Sequence, residues 1–176
     1  MDIKAVNTYS SLKGKRMGYT TDFFGSFNIS PTLNKEDKEF LTKFSETRRM
    51  KRNLGPVYGV EGEFYVEGTG FCGQDEDLSI INYNMPPSTQ PSLWCQWVPS
   101  EDGTELQWNQ GEKFYSYLEW MNYIVKNFIA PKGYKVNSEI EWRGEESNDF
   151  GKIFAKDNVI TYSEGIQTYS EEKSID

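Results

Sequence analysis

From Tyr19 to Ile29 (YTTDFFGSFNI) aromatic and β-branched residues alternate sides, Phe23, Gly25 and Phe27 against Phe24 and Ser26, which predicts a strand. Pro31 ends it. Asn34, with Asp37 three residues on, has the form of a helix N-cap, and Phe40, Leu41 and Phe44 draw the apolar stripe of a helix reaching about Met50. Glu63 to Glu67 (EFYVE) reads as a short strand, and Gly68 to Asp77 as a glycine-rich acidic loop. Asn84 to Pro91 is a stiff turn, because each proline fixes φ and removes a donor. Leu93–Val98 and Glu105–Trp108 flank Glu101-Asp102-Gly103, and an Asp-Gly turn between aromatic strands predicts a hairpin. Phe114, Tyr117, Leu118, Met121, Val125, Phe128 and Ile129 keep a helical spacing, with Gly111-Glu112 as the start and Pro131 and Gly133 as the stop. Tyr134–Arg143, Gly151–Lys156 and Val159–Tyr162 then predict three closing strands, with Asp157-Asn158 as a tight turn.

The order β-α-β-β-β-α-β-β-β predicts an α+β fold in two layers: a mainly antiparallel sheet of six or seven strands with both helices on one face. Residues 1–16 read as a flexible basic leader, 17–164 as one domain, and 165–176 as a polar tail. A length of 176 residues suits one core rather than two. Met17 is a second candidate start, because the patterned sequence begins directly after it. The first residues carry no hydrophobic signal region, and no apolar run approaches a membrane span, so the expected setting is cytoplasmic.

Composition narrows the chemistry. The chain has no histidine, which removes imidazole bases, nucleophiles and metal ligands. Cys72 and Cys95 alone cannot build a four-ligand zinc site, and they read as reduced core thiols. No cofactor or resident metal is expected. Residues 1–60 hold eleven Lys/Arg and six Asp/Glu, a balance of +5; residues 61–176 hold eight and twenty-one, a balance of -13. Such a surface disfavours nucleic acid, whose phosphates need a positive footprint, and suits a basic partner groove.

Several clusters are candidates for function. Gly68-Thr69-Gly70-Phe71-Cys72-Gly73 fits G-x-G-x-x-G, but acids and a proline follow where a phosphate-binding helix should open, so the match is accidental. Asp75, Glu76 and Asp77 in the same loop are expected to be a solvated acidic surface, available to a partner. Arg48, Arg49, Lys51 and Arg52, expected to close the first helix, exceed what its dipole needs and form a candidate anion or nucleotide site. Trp94 would stack a base there, with Gln96 on the same strand face. Glu139 and Glu141 share a strand face with Arg143, as a partner surface, an acid/base pair or a salt-bridged exterior.

Gly18-Tyr19-Thr20-Thr21, Thr47-Arg48-Arg49-Met50-Lys51-Arg52, Asn84 with Pro86-Pro87 and Gln90-Pro91, and Leu93-Trp94-Cys95-Gln96-Trp97 together resemble a widespread family of small bacteriophage-associated proteins. Glu112-Lys113-Phe114-Tyr115, Glu119-Trp120 and Asp149-Phe150-Gly151-Lys152-Ile153 extend the resemblance over about residues 17–164. The resemblance implies a phage accessory protein acting in a bacterial cytoplasm. Three function classes follow: a stoichiometric inhibitor of a host defence or regulatory protein, a nucleotide-binding sponge for an immune signal, and a carboxylate- or Mg-dependent enzyme. The absence of histidine and of a specific catalytic motif ranks the enzyme last, and the -13 balance favours the inhibitor over the sponge. Self-association stays open.

Overall fold

The computed structural model describes residues 18–67 and 78–172. The elements are β1 (Thr21–Phe24), β2 (Phe27–Ser30), α1 (Lys35–Glu46), β3 (Lys51–Arg52), β4 (Ile80–Asn82), β5 (Trp97–Pro99), β6 (Glu105–Trp108), α2 (Tyr117–Ile124), β7 (Lys135–Gly144), β8 (Phe150–Lys156) and β9 (Val159–Glu164). Seven strands form one sheet in the order β5-β6-β2-β7-β8-β9, with β1 also on β7, and every pairing is antiparallel. The expected α+β class is therefore the observed one.

The predicted first strand is one run with a break. β1 pairs with the end of β7 (Phe23↔Trp142) and β2 with its start (Ile29↔Val136). Gly25, at φ +105°, makes the bend, and a side chain there would stand 3.3 Å from the Glu139 carbonyl and from Ile140 Cγ2. The Asp-Gly hairpin forms as predicted: β5 pairs with β6, and Asp102 accepts from the Ser100 and Thr104 hydroxyls at 2.7 Å.

α1 begins where expected, since Asn34 Oδ1 accepts the Asp37 N–H at 2.8 Å. It ends at Glu46, not Met50, because Thr47 turns extended and its N–H and hydroxyl both bond the Lys43 carbonyl. α2 starts at Tyr117 rather than Gly111, after Lys113 and Ser116 adopt left-handed backbones. It runs on through a π-helical turn (Val125–Ile129) and a 3₁₀ turn (Ala130–Lys132) to Gly133, at φ +83°. Phe114, placed on the helix by its spacing, precedes it but is still buried.

Glu63–Glu67 is no strand; it lies in a turn and a segment without regular structure. Leu93–Val98 contributes a strand only from Trp97 onward. A separate pair, β3 with β4, went unpredicted because two and three residues carry no readable period. Phe27, Trp97, Leu106, Val136 and Ile140 of the sheet meet Phe44, Trp120, Met121 and Ile124 of the helices in one core. Near its margin Asp37 accepts from Tyr134 at 2.8 Å and pairs with Lys132, which ties α1 to the turn after α2. Burial opposes this charge, and the bonds from Lys132, Tyr134 and Asn34 outweigh it, holding the carboxyl below its ordinary value.

Candidate functional site

The basic cluster does not form an anion site. Arg49 and Arg52 are 2% and 1% exposed. Arg49 donates to the carbonyls of Tyr65 at 2.7 Å, Glu63 at 3.1 Å and Phe44 at 3.4 Å, and lies 4.1 Å over the Phe44 ring. Arg52 lies 4.1 Å over the Tyr65 ring and donates to Ser79 Oγ at 3.1 Å. Arg49 clasps the loop of residues 56–67 to α1, and Arg52 ties the same loop to Ser79. Burial lowers Arg49 to about 10. Lys51 pairs with Glu61, and Arg48 bonds the Tyr83 carbonyl and Asn84 at the surface. The expectation of one phosphate-holding group is therefore corrected: two members point inward and two outward, each engaged by protein.

Trp94 is half-buried, on the segment whose Leu93 carbonyl accepts the Arg49 N–H. Gln96 is buried, accepting from Trp108 Nε1 at 3.0 Å and donating to the Glu112 carbonyl at 2.9 Å, so it fastens a loop instead of reading a base. Cys95 is a core thiol as expected, pushed up to about 12 by burial. Cys72 and the acidic group Asp75, Glu76 and Asp77 lie outside the described residues.

Glu139 and Glu141 do share an exposed face, on β7. Lys152 of β8 reaches them at 2.7 and 3.2 Å, so the triad is a compensated salt bridge on the outer side of the sheet. That is the exterior expected of such a strand, not a free acid pair. A shallow cleft of about 420 Å³ nearby is lined by Phe24, Arg143, Lys152 and Phe154, with both signs of charge in it.

Adjoining that cleft, and sharing Trp142, Phe150, Glu164 and Gly165 with it, is an acidic and aromatic pocket that the sequence pattern did not reveal. It occupies about 310 Å³ between the start of α2 and the β9 side of the sheet. Its position follows from register. Trp142 on β7 stands opposite Gly151 on β8, and Gly151 opposite Glu164 on β9. A side chain at Gly151 would collide with the Ser163 carbonyl and the Trp142 ring, so glycine lets that ring lie across β8 beside the pocket. Tyr117 and Tyr162 stand on either side of Trp142, with centroids at 6.0 and 6.4 Å and planes tilted by 47° and 57°.

Two carboxylates face this aromatic wall, Asp149 and Glu164. Asp149 accepts from Trp142 Nε1 at 3.3 Å and from the Tyr19 hydroxyl. Gly144 permits that approach, since a side chain there would strike both Tyr19 and Asp149. Burial first, and then the Asp149 bond, raise the Tyr19 phenol above its ordinary value. Tyr117 is raised strongly, by burial first and then by the charges of Asp149, Glu119 and Glu164. The pocket is thus a negative field inside aromatic walls, and no Lys or Arg lines it.

Ring faces and carboxylates together suit a cation stripped of part of its water. Trp142 and Tyr162 were legible as strand residues and Asp149-Phe150-Gly151 as part of a motif. Their convergence depends on register and on chain segments far apart in sequence. Among the described residues no group of three metal-capable side chains occurs, and no helix is long and apolar enough to cross a membrane. Comparison with protein-family models, curated proteins and solved structures finds no match for this chain.

Proposed function

We propose that the protein is a non-enzymatic accessory protein that acts by stoichiometric binding, inhibiting a host defence or regulatory protein in the bacterial cytoplasm through an acidic and aromatic surface. The resemblance to phage-associated proteins supplies the setting. The surface is the Tyr117–Trp142–Tyr162 pocket with Asp149 and Glu164, not the Glu139–Glu141 face. One observation carries this reading: two carboxylates converge on three aromatic rings with no basic side chain lining the same pocket. The ligand that satisfies such a site is an ammonium or guanidinium group on the partner. The sponge alternative loses support, because Arg49 and Arg52, its intended phosphate ligands, are bonded to the protein's own carbonyls and rings.

Titration with tetramethylammonium tests the pocket directly. The methyl protons should shift upfield from the ring currents, with a dissociation constant on the order of 1 mM. Neutral tert-butanol should show no comparable shift. Equal binding of the two would remove charge from the explanation and overturn the reading. In a host whose defence the protein relieves, Glu164→Lys should abolish relief of phage plating and Glu139→Lys should leave it intact.

A further inference from the structure

The pocket opens beside a strand edge that is itself unpaired. β9 is the outermost strand of its side, and among the described residues nothing pairs with its far edge. The Gly165 N–H donates to the Phe150 carbonyl at 2.7 Å, which sets the phase of the β8–β9 ladder. Hydrogen-bonded positions recur at every second residue of an antiparallel pair, so Ser163, Thr161 and Val159 turn their main-chain groups toward β8. Ile160, Tyr162 and Glu164 therefore direct N–H and C=O outward, to the open edge.

Side chains alternate with the same period. The three residues with free main-chain groups thus share one face, and two of them, Tyr162 and Glu164, line the pocket. Exposed edges are ordinarily guarded by lysine, proline or a bulge. β9 (VITYSE) has neither lysine nor proline and pairs with β8 in unbroken register.

From this coincidence we infer that β9 receives an extended segment of the partner protein as an added strand, and that one Lys or Arg of that segment turns into the Tyr117–Trp142–Tyr162 pocket. The inference rests on the cation reading of the pocket and adds the form of the ligand. Main-chain bonds to Ile160, Tyr162 and Glu164 would supply affinity, and the single basic side chain specificity. A residue laid opposite Tyr162 or Glu164 on that face sits within side-chain reach of the pocket. A second copy of β9 fits less well, since VITYSE brings no cation and would set Glu164 near an already acidic site.

The test uses the full chain and three capped peptides: Thr-Val-Thr-Arg-Thr-Val-Thr, its Gln counterpart, and the Arg peptide N-methylated at alternate residues. Amide hydrogen exchange is read by NMR. The Arg peptide should slow exchange at Ile160, Tyr162 and Glu164 by at least about tenfold, while Thr161 and Ser163 are slow beforehand. The Gln peptide should bind roughly tenfold more weakly, and the methylated peptide should protect nothing. Binding of the Arg peptide without new protection at these three amides would overturn the added strand and leave the cation pocket standing. Failure of the Arg peptide and of tetramethylammonium together would overturn the pocket and this inference with it. Protection that rises with protein concentration alone would assign the edge to a second copy and overturn the partner assignment.

Discussion

Two regions of this molecule combine charged groups with aromatic rings, and they use them in opposite ways. At Arg49 and Arg52 the charges are sealed, with carbonyls and ring faces of the same chain taking up their bonding capacity. Beside β9 the carboxylates of Asp149, ahead of β8, and Glu164, at the end of β9, face an opening, with rings around them and no cation in the lining. The sequence makes the first region look like a binding site, because four basic residues fall in five positions. The fold shows that density of charge does not mark a site. What distinguishes the second region is that its carboxylates have no cation in the pocket lining.

Arg49→Met is the strongest test of that distinction. It leaves the Tyr65 carbonyl without its donor and the Glu63 carbonyl with Gln90 alone in a buried setting, and should lower stability by about 3 kcal/mol in denaturant unfolding. Tetramethylammonium binding by the folded variant should be unchanged. A stable Arg49→Met protein would erase the contrast, since its guanidinium would then not be a clasp.

Gly151→Val works on the other region. Its side chain would strike Trp142 and the Ser163 carbonyl, so about 1–3 kcal/mol of stability and all cation binding should be lost together. Calorimetric unfolding and the ammonium titration check the two halves. Glu164→Gln removes charge without bulk. Affinity for tetramethylammonium should fall roughly three- to tenfold with the unfolding midpoint unmoved.

Acid separates the regions more gently. Glu61, bonded by Lys51 and then by Ser88, is held at about 2 against an ordinary 4.5. The unfolded chain takes up this proton first as the pH falls. The stabilising contribution is therefore complete above about 4.5 and fades toward 2. Glu61→Gln should flatten the stability profile across that window when unfolding is measured at successive pH values. Smallest of all, Glu139→Gln should leave the unfolding midpoint unresolved from the parent, because Lys152 keeps Glu141 at 3.2 Å on an exposed face.

Local chemistry was readable ahead of the fold. The Asn34 cap, the Asp102-Gly103 turn and the stop at Gly133 each depend on a few adjacent residues, and each formed as expected. The start of α2 was not readable, since Phe114 keeps the helical spacing and is buried while the backbones at Lys113 and Ser116 on either side of it are left-handed. β3 and β4 are too short for a period to show. The pocket was hidden for another reason. Tyr19, Tyr117, Trp142, Asp149 and Glu164 sit in separate stretches of sequence; the pairing of β7 with β8 and β9 brings Trp142, Asp149 and Glu164 together, and the packing of α2 adds Tyr117. Arg49 was misread in the same way, because burial belongs to the whole fold.

β7 carries a consequence for how the chain folds. It accepts β1 and β2 along one side and β8 along the other, and the Phe23↔Trp142 pair spans more than a hundred residues. Loop closure over that distance must precede any reward from the contact, which places folding toward the slow, milliseconds-to-seconds range. During synthesis β1 and β2 emerge long before their partner exists. Until β7 has been translated, Phe23 has no paired strand and Phe27 and Ile29 have only that of β6, and the nascent chain carries an open aromatic edge.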